Sequence, residues 1–193
     1  MNTLKYLGHP GIVAILAGIM QFLAIKSPQF GETGIGMFHA WIGFAGWGSY
    51  FLAGCTPKGG VKVVSCWIGG IIASISLILF GSMLQGIMPA TVAWTIATGV
   101  IAFFMICFEK VPALDMIPAW FIAAACFFGY NTMVGSLVAA GSFPADDGSN
   151  MYKAAGAVII SCIVGQIFGY VTILARTAYG KLLQDGGEET AAA

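Results

Sequence analysis

The chain has 193 residues, of which 59% are hydrophobic and 8% charged, and its formal net charge is zero. A soluble domain carries about 25% charged residues, so the composition excludes one and points to an all-α integral membrane protein, as does a mean hydropathy of +0.89. No cluster of basic residues occurs, which argues against nucleic acid as a partner and leaves the lipid bilayer as the expected one.

In chain order, six apolar stretches approach the roughly 20 residues that a helix needs to cross hydrocarbon: residues 10–26, 35–54, 61–85, 89–108, 116–140 and 153–176. Lys5 precedes the first, but no small-x-small cleavage site follows it, so an uncleaved helix is expected. Turn chemistry separates the stretches: Ser27-Pro28 with Gly31 and Gly34, then Thr56-Pro57-Lys58-Gly59-Gly60, then Gly86 to Pro89. Lys110–Pro118 and Gly141–Asn150 make the last two breaks, and residues 179–193 read as a polar tail after a six-helix membrane domain over 1–178. With the N-terminus inside, cytoplasmic segments hold six basic residues (Lys5, Lys58, Lys62, Lys110, Arg176, Lys181) against two outside, Lys26 and Lys153. Both termini are therefore expected in the cytoplasm, with Asp146 and Asp147 outside.

A pattern occurs twice. Ala40-Trp41-Ile42-Gly43-Phe44-Ala45-Gly46-Trp47-Gly48-Ser49-Tyr50 aligns with Ala119-Trp120 through Gly129-Tyr130 once one residue is inserted after the second tryptophan. Small residues then match small ones, Trp47 falls on Phe127, and the tyrosines coincide. Lys26-Ser27-Pro28 and Lys110-Val111-Pro112 precede the copies; Ser65-Cys66-Trp67-Ile68-Gly69 and Ser161-Cys162-Ile163-Val164-Gly165 follow them. Each copy covers three stretches, about residues 10–85 and 89–176, so the second starts on the opposite face of the membrane. The expected architecture is an inverted 3+3 repeat, an arrangement recurrent among transporters, with the solute near the repeat interface.

No nucleophile with its base, and no metal-ligating set, can be assembled, so neither an enzyme nor a cofactor is expected. The five cysteines form no CxxC pair and read as small, membrane-compatible residues. No carboxylate falls inside a span; Glu109 and Asp115 would enter only if their short loop dipped inward. The uncharged polar residues within spans therefore become the candidates, among them Gln21, Ser65, Thr132, Ser161 and Thr172. The sharpest set for a solute pathway is Trp47, Ser49, Tyr50, Asn131 and Gln166. Tyr50 and Tyr130 are expected to meet near the symmetry axis, with Ser49 and Asn131 beside them. His39, next to Trp41, reads either as part of the interfacial aromatic belt or as a pore-mouth residue. Gly165-x-x-x-Gly169, Gly69-x-x-x-Ala73 and Ala14-x-x-x-Gly18 let helices approach closely, within the bundle or across a homo-oligomer seam.

The glycine and aromatic placement in Ala40-Trp41-x-Gly43-Phe44-Ala45-Gly46-Trp47-x-Ser49-Tyr50-Phe51, followed by Gly54 and Gly59-Gly60, resembles a bacterial family of small inner-membrane proteins. That family is grouped as domain of unknown function 1097, and the resemblance covers roughly residues 10 to 178. It implies the architecture and the bacterial inner membrane; it brings no substrate and no functional residue. The leading expectation is a passive channel or facilitator for a small neutral solute or weak acid. An ion-coupled secondary transporter and a non-transporting accessory subunit are the alternatives.

Overall fold

A computed structural model describes residues 3–146 and 148–189. Six α-helices follow one another: α1 (Thr3–Ile25), α2 (Ala40–Leu52), α3 (Pro57–Gln85), α4 (Ala90–Cys107), α5 (Ile117–Ala139) and α6 (Asn150–Glu189). Their starts follow the turn chemistry. Thr56 caps α3 by accepting from the Gly59 N–H at 3.0 Å, with Pro57 in the first turn, where its missing N–H costs nothing. Pro118 does the same for α5, and Asp146 Oδ1 accepts from the Gly148 and Asn150 N–H groups ahead of α6.

Among the described residues, five helices are long and apolar enough to cross a membrane, and α2 is not one of them. The 13 residues of α2 reach roughly 20 Å at 1.5 Å per residue, short of a hydrocarbon core of about 30 Å. The expected span over residues 35–54 is thus corrected: its first five residues are not helical. The cause lies upstream. Gly31 and Gly34 take positive φ, and the chain folds back so that Phe30 N–H donates to Ile35 O and Met37 N–H to Pro28 O, each at 2.8 Å. Gly54 and Cys55, also at positive φ, end α2 at its other end. α6 runs unbroken to Glu189, so the polar stretch from residue 179 continues that helix, and residues 190–193, like Asp147, lie outside the described residues.

The folded-back segment, residues 27–39, does not rest on top of the bundle. Ile35 is fully buried, and the Phe30 ring lies against Gly156 of α6. The N–H of His39, the N-cap of α2, donates to Ser161 Oγ at 3.0 Å, eleven residues into α6. The start of α2 is therefore recessed by roughly 16 Å from the start of α6. A turn sits where the first half of a helix would otherwise be.

Two close helix pairs carry the packing: α2 lies along α6, and α3 along α5, with α4 outside α3 and α1 against α6. Glycine permits the closest approaches. A β-carbon on Gly165 would lie 2.6 Å from the Trp47 nitrogen, and one on Gly46 2.9 Å from the Cys162 carbonyl oxygen. On the other side, Gly69 and Gly70 receive the ring and the backbone of Trp120. Gly18 touches nothing, so the Ala14–Gly18 pattern takes no part in the bundle. One apolar cluster, with Ile42, Cys66, Trp67, Cys126, Phe127 and Cys162 at its centre, fills the space between α2, α3, α5 and α6.

Candidate functional site

The expected pathway residues separate into distinct places. The first is the recessed start of α2. His39 Nε2 lies 2.6 Å from Tyr130 Oη and 3.1 Å from Gly36 O. Tyr130 Oη also lies 3.3 Å from Gly36 O, and the tautomer of the ring sets whether Nε2 or Oη carries the hydrogen they share. Together with Ser161 these groups latch the folded-back segment onto α5 and α6. His39 is half-buried in this latch, its ring 4.3 Å from that of Tyr130 between centroids.

The second place is the far end of α2, eleven residues along from His39. Tyr50 and Tyr130 therefore do not meet: Tyr130 bonds at the start of α2 and Tyr50 sits near its end, roughly 16 Å away. The Tyr50 ring is held between two glycines, since a β-carbon on Gly169 would lie 2.6 Å from it and one on Gly60 3.2 Å. Gln166 joins it from α6, its Nε2 donating to Gly46 O at 2.6 Å. Because Gly46 O only accepts, the amide orientation follows, and Oε1 faces the other way. Both Tyr50 Oη and Gln166 Oε1 are buried without a hydrogen-bond partner in the protein. Leaving such groups unpaired costs about 1–3 kcal/mol each. Both residues line a cavity of about 500 Å³ whose other walls include Gly60, Val64, Ser65, Ile163 and Ile167.

The third place is the opposite end of the bundle, where Asn131, Asp146 and Asn150 line a cavity of about 350 Å³ between α5 and α6. Asn131 is thus not beside Tyr50. The remaining two predicted residues face elsewhere. Ser49 turns its hydroxyl back to Ala45 O at 2.8 Å, as membrane-embedded serines do. Trp47 packs on Phe168 and belongs with Met20 to the cluster facing α1; its indole N–H has no partner.

Sequence reasoning passed over the Lys62–Asp115 ion pair, which closes at 2.8 Å and ties the α4–α5 loop to α3 beside a surface groove of about 620 Å³. Both side chains are about a third exposed, at 34% and 38%, so Asp115 stays at the surface and does not dip inward. The indole of Trp67, named in the sequence only within the repeated Ser65–Gly69 segment, is fully buried with its N–H unpartnered in the protein. Among the described residues no group of three His, Cys, Asp or Glu side chains could hold a metal, and all five cysteines are free.

A bundle of long apolar helices, with a broken one recessed among them, defines a multi-pass helical membrane protein. The chain belongs to the DUF1097 family, described as a protein of unknown function, whose pattern it matches over residues 12–176. No curated protein and no solved structure matches it.

Proposed function

We propose that the protein is a gated facilitator that passes a small neutral solute or weak acid across the bacterial inner membrane, closed at its middle in this conformation. One observation carries the reading: cavities lie at both ends of the bundle, a polar one of about 350 Å³ at Asn131 and Asn150 and a largely apolar one of about 500 Å³ at Tyr50 and Gln166. Between them stand the latch of His39, Tyr130 and Ser161 and the packed side chains of Cys126, Phe127 and Cys162. A turn held by a few hydrogen bonds can leave its seat at far less cost than a whole helix. Non-helical backbone at membrane depth is tolerated where protein or a cavity covers it. The pairing of α2 with α6 and of α5 with α3 supports the inverted repeat, because exchanging the two halves turns one pair into the other. The unequal lengths of α2 and α5 make that symmetry approximate. Lys58, Lys62, Lys110 and Arg176 gather at the Tyr50 end, which supports placing that end and both termini in the cytoplasm. No carboxylate lies buried within a span among the described residues, which favours passive movement over ion coupling, and no chemical reaction is assigned.

Stopped-flow swelling of proteoliposomes on gradients of urea, glycerol and formamide, with an internal pH dye for acetate and butyrate, tests the reading. At least one solute should cross several-fold faster than in protein-free vesicles, and Tyr130→Phe, which weakens the latch, should raise that rate. Flux at the protein-free level for every solute, in both proteins, would overturn it. The second reading, a non-transporting accessory subunit working as a homo-oligomer or with a partner, draws on the solid centre, where Trp67, Phe127 and Cys162 are fully buried. It would then lead.

A further inference from the structure

We propose that the cavity at Tyr50 and Gln166 is a binding site for a neutral amphiphile that enters sideways from the bilayer, with a head carrying a hydrogen-bond donor beside an acceptor, as in a primary amide or a protonated carboxylic acid. The inference deepens the facilitator reading and rests on it for the claim that the ligand is cargo; binding is tested without flux.

The two unpaired atoms have complementary roles. Gln166 Oε1 accepts and cannot donate, since its amide is oriented by Gly46 O. Tyr50 Oη has a hydrogen to donate and no acceptor in reach. Both flank one point: a β-carbon on Gly60 would lie 3.2 Å from the Tyr50 ring and 3.4 Å from Gln166 Oε1. Gly60 packs so closely on both residues that a side chain would not fit, and its lack of one leaves Tyr50 and Gln166 to line this end of the cavity. A primary amide can offer its N–H to Gln166 and its carbonyl to Tyr50, and a protonated acid its O–H and carbonyl. An ionised carboxylate would set a negative oxygen against the Gln166 carbonyl, and no charged residue lines this cavity to offset it. An ester lacks the donor and leaves Gln166 unpaired.

The rest of the cavity suits an apolar body. Val64, Ile163 and Ile167 form its walls, and the rim is exposed toward what is lipid in a membrane: Val61 at 69%, Ile167 at 54% and Tyr170 at 43%. Access is therefore lateral, between α3 and α6, from the leaflet next to Lys58 and Lys62. Bundle clefts with a few convergent polar groups on apolar walls are where small molecules bind.

Titration calorimetry on the full chain in nanodiscs, with empty nanodiscs as the baseline, would compare decanamide with methyl decanoate. Decanamide should bind at least about ten-fold more tightly than the ester; Gln166→Leu should weaken the amide about ten-fold, the worth of one lost hydrogen bond, while sparing the ester, and Tyr50→Phe should weaken both, since each offers Tyr50 a carbonyl. Ile167→Trp, at an exposed wall position where folding is not at stake, should fill the cavity and weaken both ligands. Equal affinity for amide and ester, or no response to Ile167→Trp, would overturn the proposal even if the two buried variants failed to fold. Amide binding without proteoliposome flux would remove the facilitator reading and keep the site; flux without amide binding would do the reverse.

Discussion

α2 and α5 carry matching sequences and have different fates. Both place an Ala-Trp pair at the start, buried aromatics at Trp47 and Phe127, and a buried tyrosine at Tyr50 and Tyr130. Yet α5 runs 23 residues and α2 only 13. Before α5 the chain makes a 3₁₀ turn at Phe108–Lys110, and Leu114 O accepts from the Trp120 indole at 2.9 Å, so the loop stays at the end of the bundle. Before α2 the chain folds on itself through Gly31 and Gly34 and sinks inward. A helix pattern thus fixes which faces pack; the turn ahead of it decides how far the helix extends. The recessed start of α2 brings His39 against Tyr130 and Ser161, inside the bundle.

The comparison can be broken at its seams. Gly165→Ala pushes a β-carbon into the backbone of α2, and Gly70→Ala pushes one into that of α5, within 3.1 Å of the Trp120 carbonyl carbon. Each should cost about 3 kcal/mol or more, since backbone cannot step aside as a side chain can, measured by denaturant titration in detergent. Gly69→Ala meets the Trp120 ring alone and should cost less. A Gly165→Ala protein as stable as the parent would mean that the α2–α6 seam is looser than described.

The paired tryptophans come next. Trp120 is 3% exposed, stacks on Phe108 and holds the loop carbonyl, whereas Trp41 is 46% exposed. Trp120→Phe should destabilise by about 2 kcal/mol and Trp41→Phe by under about 0.5 kcal/mol, as a lost hydrogen bond and packing at one site and a surface change at the other imply. Equal losses would erase the distinction.

The paired tyrosines should separate as well. Tyr130→Phe removes a hydroxyl bonded to His39 and Gly36 and should cost about 1–2 kcal/mol. Tyr50→Phe removes an unpartnered hydroxyl and should leave stability unchanged or slightly raised. A clear loss at Tyr50 would show that its hydroxyl is bonded in the apo protein. Smallest of all, Asp115→Asn should cost under about 1 kcal/mol, and less at high salt, because both partners of its ion pair reach solvent.

Much of this was legible in the sequence, for reasons that are local. Transfer of roughly 20 apolar residues into lipid depends on composition alone, so five of the spans could be read directly, as could the proline and glycine breaks between them. Gly165 and Gly169 announced a close helix contact, and Tyr50 and Gln166 stood out as polar groups within apolar runs. Tertiary structure alone decided the rest. Residues 35–39 are as apolar as a helix start; Gly31 and Gly34 marked a turn before them, but how far it reaches, with Ile35 and Phe38 buried, was decided by packing. Which polar groups share a cavity depends on the depth at which helices pair, and sequence spacing carries no measure of depth between elements. That is why Tyr50 joined Gln166 across 116 residues while its sequence counterpart Tyr130 joined His39 at the other end of the same short helix.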